Sequence, residues 1–445
     1  MCADMKQWKW IVCCFLALLL LTGCELELVS PDSLITAPKS DQEKLQQREV
    51  ISSFLGQGES LIIPEGMKYT DVYQYVDIDC DGTEEMVAFY ANKENNFTVG
   101  FMILDQKDDE WYLKNKAVAY GTGIHYFKVA DLDNDGTEEF LLGVQAGYGS
   151  QKELYIYHMD QEKLKDITET ERIVYDQITL MDKDNKEHLI LTARMDTAVL
   201  GGDSEITAFA YEEEKILNVY SSVLHGYCTE MEFGKVHKGT NGVYLAMQNN
   251  HFLDILLFRE SNDEFAVLLK KSFEYAYMDT GDWNLFRDEN DDGILEICSF
   301  WMPEGKTADI DYSDCINIWY QWNGAGELRA VDVSLERKND GYQFNLPVEW
   351  VDSIYYKFRT EDNIKWIDFY YENESLHFER VFSIAAIDQL TWDKMQKSSA
   401  MTILGNHPSK NKVYVAEILK SQFNNYAISE SLLISCLHIE GGDKK

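Results

Sequence analysis

Short apolar runs, each bounded by turn residues, recur along most of this chain and read as strands rather than helices. Runs at 86–90, 140–144, 189–191, 243–246 and 297–300 each follow a polar turn. Around the second of these turns, a further strand pattern at 124–130 lies before it and another at 153–157 lies after it. Four strands fit into about 52 residues, and five such beats fit between roughly 66 and 336. A repeat of this length with several short strands per unit is the signature of a β-propeller.

The turns carry the chemistry. Asp131, Asp133, Asp135, Gly136 and Glu139 place carboxylates at positions 1, 3, 5 and 9 of a loop with a glycine at position 6. That is most of an EF-hand calcium loop, in which about six to eight hard oxygens gather round the ion and the glycine makes the sharp turn. Position 12 is Leu142 instead of a bidentate Glu, and a strand pattern follows instead of a helix. The loop therefore reads as a metal-clipped hairpin turn. Asp77, Asp79, Asp81, Gly82 and Glu85 repeat it, as do Asp288, Asn290, Asp292, Gly293 and Glu296. The carbonyls of Thr83, Thr137 and Ile294 stand at position 7 and would complete the three oxygen sets. First positions at 77, 131, 182 and 288 are separated by 54, 51 and 106 residues. The Asp182 copy is degenerate, with Lys186 in the position-5 slot. The missing beat falls near 235, at a turn that has lost its acids. The expected ion is structural Ca²⁺, since clustered carboxylates repel until a cation neutralises them.

On these residues the loops resemble FG-GAP/VCBS repeats, the Asp-rich blades of integrin-like propellers. The whole chain is similar to a family of Firmicutes-type surface lipoproteins of unknown molecular function. The likeness rests on the Asp77 and Asp131 loops, the segments 31–39 and 341–350, and the N-terminal pattern described next. It implies a mainly β fold and a surface location and is silent on the ligand.

Lys6 and Lys9 precede an apolar run from Trp10 to Leu21, then Thr22, Gly23 and Cys24. The run is too short to span a bilayer and reads as a secretory signal. Residues 21–24 resemble a bacterial lipobox, which implies removal of 1–23 and acylation of Cys24. Two acyl chains would hold the chain at the cell membrane, on its extracytoplasmic face. A polar, Pro-punctuated tether follows over 24–40, then a helix and lead-in over 41–65. Lysines and arginines number 40 against 77 acids, a net charge of −37, which disfavours nucleic acid and favours cations. Five cysteines remain past Cys24, with no CxxC pair and no disulfide framework; a Cys298–Cys315 bridge stays open.

The repeat stops after Gly341. Strand patterns at 353–358, 366–371, 380–386 and 412–418 mix with helical ones at 387–397 and 429–437. The expected architecture is thus a mainly β chain. A propeller of about five four-stranded blades over 66–338 precedes a small α+β domain over 339–445. No HExxH or GxSxG occurs, no two histidines stand four apart, and the glycine-rich turns at 121–123 and 143–149 open no helix. The expectation is a non-catalytic binding or scaffold protein with an unknown protein or glycan ligand. The alternative is a surface hydrolase or lyase acting on glycan or peptidoglycan through acids in the propeller funnel.

Overall fold

The computed structural model describes residues 41–65, 71–78, 81–92, 94, 97–108, 110–147, 151–160, 163–182, 188–195, 202–249, 252–261, 264–274, 285–303, 314–351, 353–372, 378–395, 400–419 and 428–440. The signal segment, Cys24 and the tether read from the sequence lie outside these residues, as does Asp79. Among the described residues no helix is long and apolar enough to cross a membrane. The chain divides into two compact units, Met1–Gln57 and Gly58–Lys445. The first carries the helix α1 (Asp41–Ser52), which runs out into a turn at 53–54.

The second unit is mainly β and consists of antiparallel sheets that follow one another along the chain. The first holds β1 (Glu59–Leu61), β2 (Tyr73–Val76), β3 (Glu85–Asn92), β4 (Thr98–Lys107) and β5 (Glu110–Tyr120). The second holds β6 (Ile124–Ala130), β7 (Glu139–Gln145), β8 (Lys152–Asp160), β9 (Lys163–Asp166) and β10 (Ile173–Tyr175). The third is β11 (Gln177–Asp182), β12 (His188–Met195), β13 (Ser204–Glu212) and β14 (Lys215–Leu224). The fourth is β15 (Tyr227–His237), β16 (Thr240–Asn249), β17 (Phe252–Ser261) and β18 (Glu264–Glu274). The fifth runs β19 (Phe286–Arg287), β20 (Glu296–Trp301), β21 (Ile316–Trp322), β22 (Leu328–Arg337) and β23 (Tyr342–Asn345). The sixth comprises β24 (Ile354–Glu361), β25 (Ile364–Glu372), β26 (Phe378–Asp388), β27 (Met401–Asn406) and β28 (Lys412–Ile418). The short helices α2 (Gln389–Lys394) and α3 (Glu430–Cys436) follow β26 and β28, and β29 (Leu437–Ile439) returns to pair with β23.

Each sheet packs on the next through its apolar face. Phe89 and Phe101 of the first sheet meet Phe127 and Phe140 of the second, with ring centroids 4.9 to 5.3 Å apart. Leu141 and Ile156 continue to Ile190 and Tyr211 of the third sheet, and Leu191 and Ala208 to Leu245 and Phe258 of the fourth. Tyr244 and Leu257 pack on Phe286 and Ile297, and Ile318, Leu335 and Phe344 pack on Tyr356, Phe369 and Phe382. A sheet covered on both faces needs apolar residues at consecutive positions of its inner strands. This is why β3 and β7 are buried almost end to end and carry the apolar runs visible in the sequence. The outlying β14 instead alternates between exposed and half-buried residues, as a strand with one free face does. Successive antiparallel meanders packed face to face are how propeller blades are assembled.

The C-terminal segment departs from the expected arrangement. The boundary at 338/339 falls within a hairpin, where Arg337 of β22 pairs with Tyr342 of β23 in one sheet. The fifth and sixth sheets also share one apolar core, to which Leu433 and Cys436 of α3 contribute. The helix expected over 387–397 begins only at Gln389. β26 continues through Asp388 because Ile387 pairs with Val413 and lies buried beside Trp392. Cys298 and Cys315 are buried free thiols, so the bridge left open by the sequence does not form.

Candidate metal centres

Five repeat turns occupy one topological place: each closes the hairpin that leads into the first inner strand of its sheet, β3, β7, β12, β16 or β20. The Asp77 loop closes between Val76 and Glu85, the Asp131 loop between Ala130 and Glu139, and the Asp288 loop between Arg287 and Glu296. The degenerate copy joins Asp182 to His188, and the acid-free copy joins His237 to Thr240. Backbone bonds link some of these corners across sheets. His188 N–H donates to the Leu132 carbonyl at 3.0 Å, and Leu295 N–H to that of Lys235 at 2.7 Å.

The three acid loops share one hydrogen-bond design. At position 1, the carboxylates of Asp77, Asp131 and Asp288 each accept the N–H groups of positions 5 and 6 with their two oxygens, at 2.7 to 3.2 Å. At position 5, Asp81, Asp135 and Asp292 each accept the N–H of position 7, from Thr83, Thr137 and Ile294, at 2.7 to 2.9 Å. At position 9, the buried carboxylates of Glu85, Glu139 and Glu296 reach back to accept the N–H of position 2, from Ile78, Leu132 and Glu289. The glycine at position 6 takes φ of +87°, +89° and +78° at Gly82, Gly136 and Gly293, a region where a Cβ is strained. Asn134 and Asp291 adopt positive φ at position 4.

These bonds gather the acids. Asp131, Asp133 and Glu139 bring ligand oxygens within 4.8 Å of one another, as do Asp288, Asp292 and Glu296. Asp135 stands outside the first of these groups, and Asp79 is not described. The donor set is chemically suited to a hard divalent cation, because a carboxylate oxygen that accepts one N–H keeps a second lone pair. One further observation fits an ion in the second loop: a buried oxygen of Asp133 has no hydrogen-bond partner.

Position 9 has a further neighbour that the loop pattern does not show. His158 on β8 sits directly across from Glu139 and bonds it at 2.7 Å. Gln321 donates to Glu296 at 2.5 Å and to Asp292 at 2.8 Å. In the first loop Lys114 lies 3.6 Å from Glu85 and 3.1 Å from Asp105. A sequence signal for these partners exists only once strand register is known, since a cross-strand neighbour lies about 20 residues away.

Burial dominates the electrostatics of the corner acids, and their mutual repulsion adds to it. Burial pushes the Glu139 carboxyl up to about 7, against bonds from His158 and Leu132 that lower it. Burial also raises Asp133, with the charge of Asp135 adding to it, and raises Glu138, with Asp131 adding to it. Glu296 is raised by burial despite the Glu289 N–H and Gln321. Asp105 moves the other way: burial would raise it, but bonds from Tyr112 and Lys114 outweigh that.

No protein-family profile matches the chain, and no curated protein is significantly similar to it in sequence. Among solved structures, a Lactobacillus plantarum protein aligns at 9% identity, over 70% of this chain and 83% of its own, with a TM-score of 0.32. The exotype rhamnogalacturonan lyase YesX aligns at 11%, over 72% and 66%, with a TM-score of 0.29. Sqt1 of Saccharomyces cerevisiae aligns at 11%, over 76% and 85%, with a TM-score of 0.34. Likenesses this remote carry no argument about what the present chain does.

Proposed function

We propose that this chain is a lipid-anchored, extracytoplasmic β-propeller whose hairpin corners bind calcium, and that it acts as a non-catalytic binding or scaffold protein. The carrying observation is the recurrence of one hydrogen-bonded acid loop at one topological place in three sheets. In this reading the corners are FG-GAP/VCBS-like, the sheets close into a ring as blades, and Cys24 carries the lipid. Bound Ca²⁺ would neutralise the acids of each corner and so stiffen the hairpin; it has no chemical step to perform. The Asp131 loop is the best candidate, with Asp131, Asp133, Asp135, the Thr137 carbonyl and Glu139 as donors.

The rival reading is a glycan- or peptidoglycan-cleaving enzyme, which needs convergent carboxylates in a concave pocket. The raised carboxyls described above sit instead in the hairpin corners. A cavity of about 190 Å³ near Asn92, Phe97 and Thr122 is lined by no carboxylate, and in one of about 310 Å³ the carboxylates of Asp340 and Asp388 are both paired with Lys412. Calorimetric titration of the mature chain with Ca²⁺ tests the proposal. Binding heat and a raised melting temperature are expected, both reduced by Asp131→Ala; no heat and no shift would refute it.

A further inference from the structure

We propose that one face of the fifth sheet holds a buried monovalent metal cation, Na⁺ or K⁺, between the side chains of Asn317, Asp332, Ser334 and Asn345. Ser334 of β22 lies in register between Asn317 of β21 and Asn345 of β23. Asp332 stands two residues before Ser334 and shares its face. Neighbouring strands are about 4.8 Å apart, so the four side chains form one neighbourhood. Asn317 is 1% exposed and Ser334 0%. Each of the four side chains has a buried oxygen with no hydrogen-bond partner. The indole N–H of Trp319, directly across from Asp332, is in the same state. Of the twelve such buried atoms among the described residues, five thus fall on this one face. Buried polar groups are otherwise paired, with protein, water or an ion.

The charge points to an ion. Glu289, Asp332 and Glu336 repel one another here. Arg287 lies 2.6 Å from Glu289 and 4.0 Å from Glu336, and Lys338 lies 3.6 Å from Glu336. Two bases are thus taken up by two acids, and among the described residues Asp332 has no ion-pair partner. His438 acts on it from β29 but makes no ion pair with it, and its Nδ1 is 3.3 Å from the Cys436 carbonyl. Burial raises the Asp332 carboxyl, although Ser334 and His438 pull it down. The Ser334 hydroxyl stands close to it without the geometry of a hydrogen bond. One water has two protons and meets at most two of the four oxygens, whereas a cation meets all of them. With one carboxylate and three neutral oxygens, a single positive charge leaves the site neutral. A divalent ion would bury a net charge, at far greater cost. The Trp319 N–H can bond a water that completes the ion's shell. Asn317 lies opposite Phe300, four residues along β20 from Glu296, so the site is separate from the Asp288 corner and independent of the calcium reading.

Melting of residues 41–445 in chelator tests it, with sodium, potassium or tetramethylammonium chloride at one ionic strength. Sodium or potassium should raise the melting temperature above its value in tetramethylammonium, an ion too large for the site. The rise should be about 2 °C where the salt exceeds the dissociation constant roughly fifteenfold. Asp332→Asn keeps the shape and removes the charge, and should lose the rise; Asp131→Ala should keep it. Should Asp332→Asn not fold, Ser334→Ala removes one donor and should need several times more salt for half the rise. Crystals grown in the more stabilising salt should show one atom bonded to oxygens of all four side chains. Equal melting in the three salts, a rise unchanged in the variants of Asp332 and Ser334, or hydrogen-bonded waters sharing those oxygens in place of an ion would overturn it.

Discussion

The corner acids make a specific forecast about pH. In the folded chain Glu139 holds its proton up to about 7, against 4.5 for the unconstrained carboxyl. A group whose folded value is raised contributes stability below its unfolded value, and that contribution is lost as pH rises through the folded value. Stability in the absence of divalent ions should therefore fall between about pH 4.5 and 7. Asp133, Glu138 and Glu296 are displaced in the same direction and add to the fall. Glu139 is fully buried, so little solvent screening reduces its share. At about 1.4 kcal/mol per pH unit the share is about 3 kcal/mol, to order of magnitude. With an unfolding entropy of roughly 2.1 cal/mol/K per residue over roughly 390 residues, that is about 4 °C in melting temperature. Scanning calorimetry in a chelator at pH 5 and pH 7.5 measures it. Glu139→Gln keeps the shape and removes the titration, so its melting temperature should change less between the two pH values. Saturating Ca²⁺ should abolish the wild-type fall by holding the carboxylate ionised. A wild-type protein equally stable at both pH values in chelator, or indistinguishable from Glu139→Gln, would refute the reasoning.

Three other outcomes follow from the same structure. Gly100→Ala should destabilise by about 3 kcal/mol or more in denaturant titration, because the added methyl would overlap the Ala117 carbonyl on the paired strand. An isolated 341–445 fragment should give the circular dichroism of an unfolded chain, since its core is completed by Ile316, Ile318, Val333 and Leu335 of the fifth sheet. Cys24→Ser should move the protein from the membrane fraction to the medium, as judged by fractionation and immunoblotting.

What the sequence made legible was local. A glycine at position 6 with carboxylates at 1, 5 and 9 specifies a turn that closes on its own side chains, so the corners at Gly82, Gly136 and Gly293 could be placed without any tertiary information. The doubly covered strands were legible for a related reason, since continuous apolar runs this short suit a strand buried on both faces. The C-terminal strands were harder. β26 carries Ile387 past the point where helical spacing begins, and pairing with Val413 decides the matter. Met401–Asn406 is a strand only because β28 lies beside it, and β29 joins a sheet roughly 100 residues upstream. The partners of position 9 follow the same rule: His158 meets Glu139 through register, which no motif encodes. Long-range pairing supplied what periodicity could not.

The most direct measurement of the account is a high-resolution crystal structure of residues 41–445 grown with millimolar Ca²⁺. An ion is predicted inside the Asp131 loop, bound by oxygens of Asp131, Asp133, Asp135 and Glu139 and by the Thr137 carbonyl at about 2.3–2.6 Å. A loop that keeps its backbone hydrogen bonds but holds only water under those conditions would contradict it.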